Sequence, residues 1–445
     1  MVKLQTHQVD CIKAIDDYWK IDNRQLIQMP TGSGKTFVFL KYLSDKSKRS
    51  LIICPTRELQ EQIADSALNF FHASEISTKE SSKPKFKRVN IWVAQSIQLK
   101  FRGNLLDQQF DYIVIDEAHR AMSNMYRDFI SSYSENNPNF RLLGFTATPE
   151  RSDDLSLLDM FGKLTFSKNI FHLIEEKLLS DICGHRIKTF QLFNKKMGAT
   201  GDIIQKNLKC LDNETRNNII FKTYKENCLD KKTLIFCVSI NHAENISNLL
   251  QSQGYAADYV SGKMSKSIRR KKLQDFKSGK IDVLCNCQLL TEGFDEPSIE
   301  NLIIARPTLS KTLYCQMIGR GLRIYPGKKV CNLYELTDNV HDICTFNVAG
   351  NAPRQLNYEY RNGTLLSSLT KELESLTLQE VVLKKEKLNI LRKIPCCFEE
   401  PAFNYQIQRM KKLGIKFMEP ISFLEAAFLI WKHAAMEKYG INTKS

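Results

Sequence analysis

Hydrophobic residues in this chain fall into short runs separated by longer stretches of mixed polarity. Arg24–Gln28, Ser50–Cys54, Val89–Val93, 112–115 and 141–145 are rich in β-branched residues and read as strands. The segments between them place apolar residues at helical spacing. Continuous apolar runs belong to strands buried on both faces, and strands alternating with helices are the rhythm of a parallel sheet with crossover helices. The rhythm returns in 232–238, 256–260, 282–286, Asn301–Ile304 and 329–333. The pattern therefore predicts two α/β lobes in tandem, residues 1–165 and 215–350, with a weaker-patterned connection at 166–214. A polar, Pro-interrupted, basic stretch at 77–88 reads as an exposed loop. After residue 350 the sheet signature stops. Residues 365–391 are rich in Leu, Glu and Lys at helical spacing, and 421–439 place Phe423, Leu424, Ala427, Phe428, Ile430 and Trp431 on one broad face, so 351–445 is predicted to be a helical tail.

Length agrees with more than one core, because 445 residues exceed the roughly 250–300 at which single cores stop growing. With 42% hydrophobic and 25% charged residues, the composition excludes a disordered or fibrous chain. The formal net charge of +15 points to polyanionic partners. No apolar run is long enough to span a bilayer and residues 1–5 lack a signal-peptide pattern, so no membrane partner is expected and the chain should stay where it is made. The 13 cysteines are scattered, with Cys54, Cys237, Cys285 and Cys287 in apolar runs that read as buried strands and no C-x-x-C pair, which suits a reduced, cytoplasm-like setting.

The chemistry begins after the first strand. Met29-Pro30-Thr31-Gly32-Ser33-Gly34-Lys35-Thr36 runs into a helix-compatible stretch, the context of a phosphate-binding loop. Gly32 and Gly34 let backbone N–H groups turn inward beside Thr31 and Ser33, Lys35 would neutralise β- and γ-phosphates, and Thr36 would hold Mg²⁺. Met29 stands where the strict pattern has Gly. A second element, 112–115, ends in Asp116-Glu117-Ala118-His119. Carboxylates at the carboxyl end of a strand reach a nucleotide in the sheet crevice, so Asp116 is expected to bind Mg²⁺ through water and Glu117 to orient and deprotonate the attacking water.

Asp116-Glu117-Ala118-His119 spells a DEAH box, and the loop resembles motif I of the superfamily 2 helicases. Further matches follow in order: Pro55-Thr56-Arg57-Glu58-Leu59, Ala94-Gln95-Ser96, Thr146-Ala147-Thr148-Pro149, Leu234-Ile235-Phe236-Cys237, Thr291-Glu292-Gly293-Phe294-Asp295, and the run from Gln316 to Arg323. The segments at 291–297, 306–308 and 319–328 look closest to the RadD and XPB-like branch, whose members act on DNA.

The resemblance implies two RecA-like parallel-sheet lobes with a C-terminal helical extension, and an ATP hydrolase coupled to unwinding or translocation, 3′ to 5′. It assigns Arg320 and Arg323 as arginine fingers that sense ATP from the opposite lobe, with Gln316, Gly293 and Asp295 completing the cleft. His119, Thr146 and Thr148 would couple the ATP site to movement. Gln8 in Leu4-Gln5-Thr6-His7-Gln8 would read the adenine edge. Thr56, Arg57, Gln95, Ser96, Ser239 and Thr291 would contact nucleic-acid phosphates. The basic cluster at 265–272 reads equally as a groove wall or a solvated helix face. DNA is the expected substrate. An RNA helicase is the alternative, as is a motor subunit of a restriction or repair assembly that moves on duplex and docks a protein partner through 351–445.

Overall fold

Alternate residues of the central strands feed two different cores, one on each side of a sheet. The computed structural model describes residues 4–78, 85–98, 105–121, 123–148, 157–189, 196–198, 202–291, 293–337, 363–365, 367, 404–412 and 414. The first sheet contains β1 (Arg24–Gln28), β2 (Ser50–Cys54), β3 (Ile76–Ser77), β4 (Val89–Val93), β5 (Tyr112–Asp116), β6 (Arg141–Thr146) and β7 (Lys163–Ser167) in the order β3-β4-β2-β5-β6-β1-β7, every pair parallel. Every residue of β2, β4 and β5 is buried. Ile52, Ile91, Val114 and Leu143 enter one core, while Leu51, Trp92, Ile113 and Leu142 enter the other. Burying each such side chain stabilises the lobe by about 1.5–3 kcal/mol, so a polar substitution in these strands would break it.

The second sheet repeats the plan with β8 (Asp181–Lys188), β9 (Thr233–Phe236), β10 (Ala257–Val260), β11 (Val283–Asn286), β12 (Asn301–Ile304), β13 (Val330–Thr337) and β14 (Thr364–Leu365) in the order β10-β11-β9-β12-β13-β8-β14. All its pairs are parallel except β14 on β8. Leu234, Leu284, Leu302 and Leu333 face one core, and Ile235, Cys285, Ile303 and Tyr334 the other.

Four expectations need correction. The stretch 166–214 is not all connection, because residues 166–167 end β7 and β8 is a strand of the second sheet, leaving 168–180 between the sheets. β8 lies next to the edge strand, and buried and half-buried positions alternate from Asp181 to His185, so it lacks the continuous apolar run of a central strand. Leu365, read as the start of a helix, is in β14. Ser77, read as loop, ends β3 and is buried, with Oγ donating to the Lys85 carbonyl at 3.0 Å. A helix does occupy Asn404–Lys412. Nearly all of 365–391, the whole of 421–439 and residues 79–84 lie outside the described residues. Among the described residues no helix is long and apolar enough to cross a membrane. Cys54, Cys237 and Cys285 are buried, but Cys287, just past β11, is half-buried.

Candidate active site

The carboxyl ends of β1, β5 and β6 meet because β6 lies between the other two. β1 leads into the glycine-rich loop. Met29 is fully buried, with its N–H donating to the Thr146 carbonyl at 2.9 Å, so the position that departs from the strict pattern anchors the loop to the core. Gly34 caps helix Lys35–Lys46 in the left-handed region at φ 80°, a conformation costly for a residue with a Cβ. Ser33 turns its hydroxyl back onto the Pro30 carbonyl at 2.7 Å. The Ser33 carbonyl in turn lies 3.0 Å from His7 Nε2 and accepts from Gln8 Nε2 at 3.1 Å. Gln8 is buried, and its Oε1 accepts from the Gln5 N–H at 2.9 Å, fastening the start of helix Thr6–Tyr18 against the loop.

β5 delivers Asp116, whose Oδ1 accepts from the Glu117 N–H at 3.1 Å. Glu117 adopts the left-handed backbone at φ 53°. Its Oε1 is 3.6 Å from Lys35 Nζ, both side chains being about nine-tenths buried. Burial alone would push the Glu117 carboxyl up, but Lys35, then His119, Arg120 and Arg320, outweigh it and hold the carboxyl below its ordinary value. Thr31 Oγ1, Lys35 Nζ and Glu117 Oε2 are buried without hydrogen-bond partners. A hydroxyl, an ammonium and a carboxylate oxygen orphaned on one small surface match the needs of a polyphosphate, a cation and a water. Thr36, half-buried in the first turn of the helix, and Asp116 supply the hard oxygen ligands that Mg²⁺ takes.

From Glu117 a polar chain runs to the other lobe. His119 Nδ1 is 3.3 Å from Glu117 Oε2 and 3.4 Å from Thr146 Oγ1. Thr146 Oγ1 donates to the Thr148 carbonyl and accepts from the Thr148 N–H, at 2.9 and 3.2 Å. Thr148 Oγ1 then meets Thr312 Oγ1 at 2.6 Å. Thr312 escaped the sequence reading, since a Thr near the start of an ordinary helix carries no local signal. Pro149 lies outside the described residues.

Helix Lys311–Ile318, capped by Ser310, carries buried Gln316 and leads into Arg320 and Arg323. A Cβ on Gly319 would come 2.7 Å from Thr31 Cβ, so only glycine lets the lobes approach this closely. Arg320 is buried, with Nη1 donating to the Phe294 carbonyl and Nε to the Gln316 carbonyl. Arg323 lies over Gly32, pairs with Asp295, and is lowered by burial to about 10. Asp295 therefore engages Arg323. The Gly293 carbonyl accepts from Gln62 Nε2 of the first lobe, and Glu292 lies outside the described residues.

Thr56 and Ser239 sit just beyond β2 and β9, and each caps a helix: Thr56 Oγ1 accepts from the Leu59 N–H at 3.3 Å and Ser239 Oγ from the His242 N–H at 3.0 Å. Helix starts of this kind favour phosphate. Arg57 and Gln95 are exposed, while Ser96 and Thr291 are buried, Thr291 Oγ1 donating to the Gln288 carbonyl at 2.7 Å. The basic cluster is partly paired, while Arg270 and Lys271 are exposed. Lys266 pairs with Glu61 at 3.1 Å and Arg269 with Glu58 at 2.6 Å across the lobes, and Lys272 pairs with Asp258.

Residues 1–151 match the family model of the type III restriction enzyme res subunit, and 209–325 that of the helicase conserved C-terminal domain. The chain is 28% identical over 351 residues to the putative ATP-dependent helicase IRC3 of Saccharomyces cerevisiae, covering 75% of this chain and 51% of that protein. It thus spans about half the length of that relative. A fragment of a putative HsdR subunit of a type I restriction enzyme from Vibrio vulnificus superposes with a TM-score of 0.58 at 22% identity, covering 74% of this chain and 63% of that one. Saccharomyces cerevisiae Dbp5 bound to RNA and ADP BeF3 gives 0.52 at 16% identity, covering 75% and 88%. At these identities the structures share the fold. Helicase-type models on both lobes, a helicase relative spanning them, and the ordered loop, DEAH and arginine segments meeting at one cleft place the chain in the superfamily 2 helicases.

Proposed function

We propose that the chain is an ATP- and Mg²⁺-dependent motor that couples ATP hydrolysis to movement along nucleic acid, DNA in preference to RNA. The observation that carries this reading is the Lys35–Glu117 pair, orphaned in its hydrogen bonding and held under the charge of Arg320 from the other lobe. Buried polar groups without partners cost free energy, which a ligand that completes them recovers. Lys35 and the loop N–H groups bind the phosphates, and Thr31 adds a hydroxyl at the same surface. Thr36 and Asp116 hold Mg²⁺, which when bound neutralises phosphate charge. Glu117, kept ionised, orients the attacking water and takes its proton. Arg320 and Arg323 stabilise the charge that spreads over the γ-phosphoryl, with Gln316 on the helix that precedes them. Gln8 holds the loop and approaches the base, Gly293 and Asp295 shape the second-lobe wall, and His119, Thr146 and Thr148 carry the state of the site to Thr312. Thr56, Arg57, Gln95, Ser96, Ser239 and Thr291 track strand phosphates, and closing and opening of the lobes moves the strand.

The family model on residues 1–151, named for a restriction enzyme, favours DNA. The likeness to Dbp5 bound to RNA keeps RNA as the alternative. The likeness to an HsdR subunit supports a second reading, a motor subunit that moves on duplex within a larger assembly and docks through 351–445. Placement beside the RadD and XPB-like branch rests on residues 291–328. Glu117→Gln tests the site: ATP binding should persist while hydrolysis is lost, because an amide keeps the shape but is no base. Loss of binding together with turnover would make Glu117 structural. Stimulation of ATPase by DNA and RNA of matched length decides the substrate, and strand displacement against triplex displacement separates unwinding from duplex movement.

A further inference from the structure

The connector between the lobes ends in two residues with different attachments. Leu179 Cδ2 lies 3.5 Å from the Cβ position of Gly32, in the phosphate-binding loop. Ser180 turns the other way: its N–H donates to the Leu322 carbonyl at 2.7 Å and its hydroxyl to the Arg323 carbonyl at 3.0 Å. Lys328 grips the same stretch, Nζ donating to the carbonyls of Gly321 at 2.6 Å, Arg323 at 2.9 Å and Pro297 at 3.3 Å. Lys328 makes no ion pair among the described residues, so its ammonium is spent on main-chain oxygen.

Three consecutive carbonyls beyond the end of helix Lys311–Ile318, those of Gly321, Leu322 and Arg323, are thereby held by the Lys328 ammonium and by Ser180 of the connector. We infer that Ser180 and Lys328 form a carbonyl clamp that positions Arg323 over the phosphate-binding loop and makes the connector part of the ATP-sensing machinery. The inference rests on the proposed role of Arg323 as a group acting on the γ-phosphoryl. Clamping the backbone fixes where the guanidinium starts from, and its pairing with Asp295 fixes where it points. Ser180 and Lys328 act through Arg323 and are positioning residues. Misplacement of a reacting group by about 1 Å can cost on the order of 10² in rate, so the clamp should register in turnover more than in nucleotide binding.

The test is a double-mutant cycle on turnover at saturating ATP, nucleotide affinity and melting temperature, using Lys328→Met, Ser180→Ala, Arg323→Ala and the two combinations with Arg323→Ala. Lys328→Met should lower turnover roughly tenfold and Ser180→Ala about threefold, with ATP affinity within about twofold of the parent. Neither should lower turnover further once Arg323 is Ala, because a residue that acts only by placing a guanidinium has nothing left to place. Losses that multiply in the combined variants, or normal turnover in both single clamp variants, overturn the clamp. Wild-type turnover in Arg323→Ala overturns the role of Arg323 itself, and the clamp with it. If Lys328→Met fails to melt cooperatively, the Ser180→Ala cycle carries the same decision, since it removes only one hydroxyl.

Discussion

Lys35 and Glu117 show what a single buried pair can do in this fold. Neither side chain is satisfied by the protein alone: the ammonium has no hydrogen-bond acceptor and sits 3.6 Å from the carboxylate. Lys35→Ala should therefore remove ATP hydrolysis while leaving the melting temperature close to the parent value, because it deletes a desolvated charge while His119, Arg120 and Arg320 continue to offset that of Glu117. ATPase assays beside thermal melts check this, and hydrolysis near the parent rate would refute the phosphate role. The glycine-rich loop and the DEAH segment meet at this pair. Gln8 stands out in the sequence only as a residue expected to read adenine, and its lock on Ser33, shared with His7, is not legible there: that contact spans 25 positions and leaves no pattern in either segment.

At the scale of elements, helix Lys311–Ile318 links both lobes by one hydroxyl contact at its start and by the arginines beyond its end. Thr312→Val keeps the side chain's shape and removes its hydroxyl. A net hydrogen bond is worth about 1 kcal/mol, so stimulation of ATPase by nucleic acid should fall about fivefold while basal ATP binding stays unchanged. An unchanged ratio of stimulated to basal ATPase would reduce the Thr148–Thr312 contact to packing. Helix Ile240–Ser252 makes a different prediction. His242 is fully buried, accepts from the Val238 N–H through Nδ1 at 3.2 Å, and has no partner at Nε2. Burial first, then Arg216, lower its pKa to about 4, against the opposing pull of Asp212. A histidine kept neutral in the fold binds fewer protons than the unfolded chain between its two pKa values. Its contribution is intact above pH ~6.5 and is lost as pH falls toward 4, amounting to about 3 kcal/mol. Urea melts at pH 7.5, 6 and 5 should show the growing part of that loss, about 2 kcal/mol by pH 5, and less of it in His242→Asn. Equal acid sensitivity in both would assign the effect elsewhere.

For the whole molecule, the net charge of +15 and the paired capped helices on the two lobes lead to a prediction about salt. If binding is phosphate neutralisation, log affinity for a single strand should fall linearly with log salt by about 0.7 per phosphate contacted. Arg57, exposed in the first turn of its helix, should then account for one contact. Arg57→Ala should weaken binding to unrelated sequences alike and flatten the slope by about that amount. Titrations of two unrelated strands at several salt concentrations, beside the variant's melting temperature, decide it. An unchanged slope with lowered melting temperature would make Arg57 a support of its lobe, and loss on one sequence alone would mean that bases are read. The basic helix 266–277 tempers any estimate made from charge count, because Lys266 and Arg269 are already paired with Glu61 and Glu58.

The two parallel-sheet lobes and the glycine-rich loop, DEAH and arginine segments are legible along the chain, because they depend on local chemistry. A central strand must be an apolar run, a phosphate-binding turn must have glycine at left-handed positions such as Gly34, and a carboxylate that reaches the crevice must follow its strand directly. Tertiary structure decided what depends on distant pairing. β8 joins the second sheet through β13, about 150 positions along the chain. Thr148 finds Thr312, Glu58 finds Arg269, and Ser180 finds the carbonyls of Leu322 and Arg323 across comparable separations. Such contacts need only a hydroxyl, a charge or a peptide group at each end. Those groups are common along any chain, and only the packing of the two lobes selects which of them meet.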